Sequence, residues 1–540
     1  MTHIRRYIIL LTAIVMTGCS SYLDEKARDQ IPEEEAYTDG DALFRNNVAT
    51  LYNYIGGSSD GQGLQGTCRG VYDLQTLGGD ELIIPTRSSD WYDGGLWQAM
   101  YMHSWATGHD LMKNAWLYLY KVIALANRSI EQLEAHRQLL TSEQLQAYTA
   151  EVRAIRAIYY WYLMDLFGRV PLVTSTDVSM NEVQQSERSE VFHYIIDELQ
   201  ETAPLLPYEN SVHEGDYYGR VTQPVACFAL AKLMLNAEIY GDDNWTDTSH
   251  PDGQQIHVTV DGQRLNVWEA CIHYCEELTI AGYQLEEQYT DNFSVFNQNS
   301  RENIWTIPMN KNLYSNQLQT IIRSLHYCHA AAYGYNGENG TSATRKTLEV
   351  YGVGTDETDI RFLQNFHAAE IYDLNGQPVL DRTGKQLVYY PWEVALNLSG
   401  SPYVETAGAR LYKYEIDKNA IKDGKLVDND IVLFRYADAL LMEAEAKVRN
   451  GGDGSKELNA VRARSQAEHR PCTLKTIYDE RLMELCWEGW RRQDMIRFRQ
   501  YKSLYEGSDK VDETDGHTTV FPIPADIMAT NANLTQNKGY

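Results

Sequence analysis

Residues 80–110, DELIIPTRSSDWYDGGLWQAMYMHSWATGHD, concentrate side chains of one chemical kind. Trp91, Tyr92, Trp97 and Trp105 stand among Arg87, Asp90 and the pair Gly94-Gly95. Indole and phenol rings stack on the apolar faces of a ring-shaped ligand, and Arg, Asp and Asn groups meet its hydroxyls. Trp97 and Trp105 read as internal packing, whereas Trp91, beside the polar turn Ser88-Ser89-Asp90, fits either surface or interior. A second stretch, YCHAAAYGYNGENGT at 327–341, sets Tyr333, Tyr335 and Asn336 among Gly and Ala, the texture of a surface loop. Trp392 and Tyr403 are lesser candidates of the same kind. A different chemistry is offered by Glu480, Arg481, Glu484, Glu488, Arg491, Asp494 and Arg497, which recur at three- and four-residue spacings. Glu484 and Glu488 are the pair that a search for catalytic carboxylates would choose. Their interleaved arginines instead predict an ion network on one helix. No Ser nucleophile elbow, HExxH, P-loop or dinucleotide fingerprint falls where strand and helix would support it.

The elements that must position these residues are mainly helical. Val152, Ile155, Tyr159, Tyr162, Leu163 and Leu166 form one amphipathic face, stopped by Gly168 and Pro171. Residues 116–133, 225–240, 267–278 and 458–464 read as further helices, the second of them apolar over much of its circumference. Leu433, Ala437, Leu440, Leu441, Ala444 and Val448 make a stripe closed by Asn450-Gly451-Gly452. Thr476, with Asp479 three residues on, predicts a capping box opening another helix. The helices pair at roughly tetratricopeptide spacing without a strict consensus, so the scaffold reads as degenerate helical hairpins, with an irregular helical domain as the alternative. Residues 54–110 and 287–425 are rich in Gly, Asn, Asp, Ser and aromatics, with short strand-like pieces at 386–390 and 410–415. The fold class is mainly α, a helical scaffold carrying large loop-rich insertions.

Composition bounds the function. The 540 residues hold 47 Lys plus Arg against 75 Asp plus Glu, a net charge of −28. That excludes a nucleic-acid binder tracking phosphates and a protein held on anionic lipid by charge. There are 38 Tyr and 11 Trp but 11 Phe, so most aromatics carry a polar handle, suited to wet contacts with sugars or peptides. His3, Arg5 and Arg6 precede the apolar run YIILLTAIVM at 7–16, which is too short for a bilayer span of about 20 residues. It matches the core of a secretory signal. Met16-Thr17-Gly18-Cys19 is similar to a bacterial lipobox, with Met16 where Leu is usual. Residues 1–18 are expected to leave as a signal peptide, with Cys19 lipidated. Seven further cysteines include no CxxC pair, which argues against zinc ribbons and redox motifs. Cys271 and Cys275 share a helix face as small packing groups. Asp242-Asp243-Asn244 and the acidic turn at 356–359 lack EF-hand spacing and read as solvated turns rather than calcium sites, so no metal or cofactor is expected.

Several blocks then carry a specific resemblance. They are EVRAIRAIYYWYLMDLFGRVPLVT at 151–174, GRVT at 219–222 before an Ala-rich helix, DIVLFRYADALLMEAEAK at 430–447 and DERLMELCWEGWRRQDMIRF at 479–498. Tyr22-Leu23-Asp24 follows the lipobox, and FPIPADIMATNANLTQNKGY ends the chain. In this order they resemble the SusD/RagB family, the surface glycan-binding lipoproteins of Bacteroidetes nutrient uptake. The resemblance implies a SusD-like fold over 19–540 as a single domain. It implies non-catalytic capture of an oligo- or polysaccharide at the outer membrane, and delivery to a SusC-type TonB-dependent transporter. It places ligand contacts on Arg87 and Trp91, with Asp90 and Tyr92 beside them, and on Tyr333, Tyr335 and Asn336. Peptides or another nutrient remain an alternative ligand. A glycoside hydrolase is the alternative of another class, and needs two carboxylates about 5 to 9.5 Å apart across a cleft. The Asn-rich tail is expected to cap the fold through side-chain-to-backbone hydrogen bonds.

Overall fold

The computed structural model describes residues 36–179, 181–501 and 516–540; the expected signal peptide and Cys19 lie outside the described residues. The scaffold begins with α1 (Asp110–Ala135) and α2 (Ser142–Phe167). Thr141 and Gln144 close a reciprocal capping box at the start of α2, and Gly168, at φ 66°, ends it by donating to the Met164 carbonyl at 2.8 Å. The helix is buried almost all round from Ala150 onward, which its long apolar and aromatic run requires. Then come α3 (Arg188–Thr202), α4 (Gln223–Leu235) and α5 (Val267–Ile280), the last capped by Asn266 and Glu269. The chain closes with α6 (Tyr436–Arg449), α7 (Ser455–Arg464), α8 (Leu474–Leu485) and α9 (Arg491–Arg497). The long helices pack as successive neighbours through α1–α2–α3, α4–α5 and α6–α7, the expected helical hairpins, and α6 also packs on α5 across the long insertion between them. Between them a buried antiparallel pair joins β1 (Asn303–Ile307) to β2 (Ile431–Arg435). One hydrophobic cluster runs from Leu43 to Ile523.

Three details depart from expectation. Leu433 lies in β2, not on the helix that follows, because a short, fully buried apolar run has no period to separate strand from helix. The capping box of α8 is one turn earlier, with Thr473 as the cap and Thr476 at its third position. The acidic–basic run of 480–497 is two helices. The chain leaves α8 at Cys486, turns through Trp487 (φ 69°) and Gly489 (φ 80°), and resumes in α9. The carbonyls freed by this break are used. Lys413 donates to those of Cys486 (2.7 Å) and Glu484 (3.3 Å), and Arg435 also donates to that of Glu484 (3.0 Å).

The ion network itself is there and is interior. Glu484 accepts from Arg435 (2.7 Å), from Arg361 (2.9 Å) and from Arg464. Glu488 pairs with Arg435 (2.7 Å) and Lys413 (2.6 Å), and Glu302 with Arg464 (2.9 Å) and Arg435. Burial opposes the Glu484 charge, yet Arg464, Arg435 and Arg361 together hold its carboxyl well below the usual range. These groups are closed from solvent. Further buried pairs cross the chain, Asp80 to Arg491 (2.6 Å) and Asp165 to Arg492 (2.9 Å). The tail caps as expected, with Asn537 Nδ2 donating to the carbonyls of Phe167 and Phe521 at 2.8 Å each. Cys271 and Cys275 are buried in α5. Asp243 accepts from the Ser189 amide at the start of α3 (2.8 Å), and Asp359 pairs with Arg361 (2.8 Å), so both turns spend carboxylates on the fold. No helix among the described residues is long and apolar enough to cross a membrane.

Candidate ligand-binding face

Three segments of the two loop-rich insertions, distant in sequence, converge on one face. Leu82–Ile83 pairs antiparallel with Ser342–Ala343, and Thr86 bridges in parallel to Asn397. Residues 82–92, 326–343 and 386–407 are thereby fastened side by side. The first ends in a tight hairpin. The Arg87 amide donates to Asp90 O at 2.9 Å and the Asp90 amide returns the bond to Arg87 O at 3.0 Å. Ser88 and Trp91 both take φ of 60°, a left-handed conformation that non-glycine residues hold only where neighbours enforce it.

The neighbours are specific. Arg87, only 4% exposed, donates to the carbonyls of Val404 (2.7 Å) and Ala407 (3.0 Å) and to Ser342 Oγ (2.9 Å). The expectation that Arg87 meets ligand is therefore corrected. Its donors clamp the hairpin to the 404–407 loop from beneath. Trp91 lies against Gly340, where a Cβ would stand 2.6 Å from the indole, and its Nε1 donates to Glu338 O at 2.8 Å. It also meets Trp97 at 5.7 Å between centroids. Trp91 is half-buried, its indole edge fixed by these contacts. Tyr92 is the open ring, 56% exposed. Trp97 and Trp105 are buried as expected, and the Trp97 indole N–H donates to Asp93 (2.9 Å), which also pairs with Arg69 (2.7 Å). Burial raises the Asp93 carboxyl, but the bonds from Arg69 and Trp97 prevail and leave it below the ordinary value.

The second stretch divides. Tyr333 and Tyr335 are 8% and 6% exposed, so the expected surface loop is folded inward. The Tyr335 hydroxyl donates to Asp417 O at 3.0 Å, and its ring lies on Gly424, where a Cβ would fall 2.5 Å away. Tyr333 shares a 2.9 Å hydrogen bond with His329. Both phenols support the face from below rather than form it. Asn336 is exposed, its amide held by Asp423 O (3.0 Å).

Asp90 is exposed and accepts from the hydroxyl of Tyr327 at 2.8 Å. Burial and the facing Asp90 carboxylate push the Tyr327 phenol up to about 12. Over its ring stands the Arg382 guanidinium, 4.9 Å from the centroid, and Arg382 lies 4.0 Å from Glu405. Glu405 also contacts His326 Nε2 at 3.2 Å. Beyond them Tyr390 and Tyr403 meet at 4.6 Å between centroids, with Trp392 and Tyr390 each 40% exposed. Face aromatics and hydroxyl-matching polar groups thus alternate across the three segments. Tyr403, a weak candidate in the sequence, belongs to this group through Tyr390, whereas Trp392 lies beside Gly354; Tyr327, Arg382, Glu405 and Tyr390 carried no local signal of their own. A signal for Arg382 exists at longer range. Residues 373–380, DLNGQPVL, and 381–388, DRTGKQLV, are two copies of one eight-residue pattern.

Comparison with known proteins agrees with this architecture. The model of the SusD family matches residues 293–540, and a second, described as starch-binding associating with outer membrane, matches 71–235. The starch-binding protein SusD of Bacteroides thetaiotaomicron is 23% identical, over 99% of this chain and 98% of its own length. SusD-like protein P25 of Formosa agariphila is 25% identical over 89% of this chain and 87% of its own. Among solved structures, surface glycan-binding protein A of Bacteroides thetaiotaomicron in complex with laminarihexaose superposes with a TM-score of 0.70 at 20% identity, covering 92% of this chain and 99% of that one. These structural likenesses establish the fold. With the two family models falling on successive stretches of a chain that its relatives match over most of its length, the assignment is SusD-like.

Proposed function

We propose that this protein is a non-catalytic glycan-binding lipoprotein of the outer membrane. It captures an oligo- or polysaccharide and passes it to a SusC-type TonB-dependent transporter, and acylated Cys19 tethers it. The observation that carries the reading is the convergence of open and half-open rings with paired hydroxyl-matching groups, Tyr92, Trp91, Asp90 and Tyr327, on one face fastened from three segments. Relatives named for starch and laminarin binding support it. So does the interior position of Glu484 and Glu488, which removes the most tempting catalytic pair. The matched family description associates such chains with the outer membrane, in keeping with a lipid tether.

The test is calorimetric titration of the full chain in mild detergent against neutral hexasaccharides, with Tyr92→Ala beside it. Binding of one glycan, lowered about tenfold or more in Tyr92→Ala at unchanged Tm, is expected, a loss of about 1.4 kcal/mol. Failure of every glycan, with peptides binding instead, would overturn the reading. Release of reducing ends by the pure protein would overturn its non-catalytic part.

A further inference from the structure

We propose that Arg382 and Glu405 are the specificity-determining pair of this face, reading adjacent hydroxyls of a neutral sugar, and that the eight-residue repeat is there to hold Arg382 in place. The inference rests on the proposed glycan-binding function and deepens it.

The repeat folds into a closed three-stranded unit. The Ile371 amide donates to Leu387 O (3.0 Å), that of Leu387 to Val379 O (2.7 Å), and that of Val379 to Ile371 O (3.0 Å), so the backbone bonds form a ring. Ile371, Val379 and Leu387, eight residues apart, are buried together with Tyr389 in a core of their own. Closure leaves no free edge at that level, which makes the unit stiff for its size. Each copy turns at its Asp. Asp373 Oδ1 accepts from the amides of Asn375 and Gln377 at 2.8 Å, and Asp381 Oδ1 from those of Thr383 (2.7 Å) and Lys385 (3.1 Å). The residue after each Asp is then offered at the same point of the turn. In the first copy it is Leu374, which packs on the main core; in the second it is Arg382, which reaches out over Tyr327. One copy anchors the unit and the other presents a guanidinium.

What Arg382 meets there is incomplete. Its nearest approach to Glu405 is 4.0 Å, beyond hydrogen-bond reach, and both side chains are about half or more open to solvent, at 64% and 46%. Such an exposed pair adds little to stability. The gap is suited to hydroxyls, one accepting from the guanidinium while its neighbour donates to the carboxylate. Arg382 also covers a face of Tyr327, whose hydroxyl is spent on Asp90, so Tyr327 serves as a platform for the guanidinium rather than for a sugar. The pair sums to zero charge, and two cations near the hairpin are committed, Arg69 to Asp93 and Arg87 to carbonyls. With Asp90 exposed beside them, the face favours neutral sugars over uronates or sulfated chains.

The experiment titrates the full chain in detergent with the best-binding neutral hexasaccharide and with its reducing-end and mono-deoxy analogues, for wild type, Arg382→Ala, Arg382→Lys, Glu405→Gln and Tyr92→Ala. Arg382→Ala and Glu405→Gln are expected to weaken binding about tenfold at unchanged Tm. Lys, lacking the planar fork, is expected to restore less than half of that loss. One deoxy analogue that binds wild type poorly is expected to bind Arg382→Ala no worse than the parent sugar does. Tyr92→Ala is expected to weaken all analogues equally. Wild-type affinity and deoxy selectivity in Arg382→Ala and Glu405→Gln, with binding still lost in Tyr92→Ala, would overturn this inference and leave glycan binding standing. No binding of any hexasaccharide to wild type would remove both.

Discussion

Glu484→Gln separates an interior ion network from a catalytic carboxylate. The substitution keeps shape and removes one negative charge from a site enclosed by Arg361, Arg435 and Arg464. A glutamine retains one acceptor oxygen and turns two N–H donors toward guanidinium donors. Breaking a buried pair in this way costs about 3 to 5 kcal/mol, because the opposing charge is left uncompensated. At about 2.1 cal/mol/K per residue the unfolding entropy of a chain this long is roughly 1 kcal/mol/K, so Tm should fall by about 3 to 5 °C in calorimetry. The pH dependence fixes the cause. In the unfolded chain the carboxyl titrates at about 4.3, and in the fold it titrates far lower. Its stabilisation is therefore complete above about pH 5 and drains away as acid approaches the folded value, whereas Gln does not titrate. The Tm gap between wild type and variant should be constant from pH 5 to 8 and narrow below pH 4. Glycan affinity should not change. An unaltered Tm at pH 7, or a gap that widens in acid, would show that Glu484 carries no buried ion pair.

Glu81 is buried, and burial lifts its carboxyl to about 8; one oxygen accepts from the Trp487 amide at 2.9 Å. The unfolded chain loses this proton near pH 4.3 and the fold keeps it until about 8, so the native state binds the extra proton between and stability falls as pH rises through that window. Glu81→Gln should flatten the slope and unfold at higher temperature than wild type at pH 9, with the two converging near pH 4. Gly340→Ala places a methyl 2.6 Å from the Trp91 indole. The ring must move by about 1 Å to regain contact distance, seen as a shift in tryptophan emission and a several-fold loss of glycan affinity. Tyr335→Ala empties a packed interior site, costing about 3 to 5 kcal/mol measured as a Tm loss, and any change in affinity should track that loss of fold.

The helices were legible because both of their signals are local. The stripe of 152–166 has period 3.6, and Gly168 and Asn266 end or begin helices through bonds within a turn of themselves. Leu433 misled because full burial erases periodicity. At the candidate face the ring-bearing segment was legible and its exposure was not. Arg87 is consumed by carbonyls more than 300 residues away, and Tyr335 is covered by Gly424, a neighbour no local window contains. Trp91 and Arg87 look equally available in the sequence, and only the register of Thr86 on Asn397 decides which of them turns under. Arg382 and Glu405 are ordinary surface residues one at a time. The repeat of DLNGQPVL in DRTGKQLV, with its Leu374-to-Arg382 exchange, was the readable sign that one turn had been diverted from packing to display.

The long-range pairs Gln65–Glu488, Glu81–Trp487, Asp80–Arg491 and Asp165–Arg492 also impose an order in time. Closing a loop of some 400 residues costs about 5 kcal/mol of chain entropy before any such contact forms. Asp165 finds Gln75 and Tyr240 earlier in the chain, but the guanidiniums that neutralise Asp80 and Asp165 arrive only with Arg491 and Arg492, so burying these carboxylates before then carries a penalty. Full burial of these early segments is therefore tied to a partner made several hundred residues later.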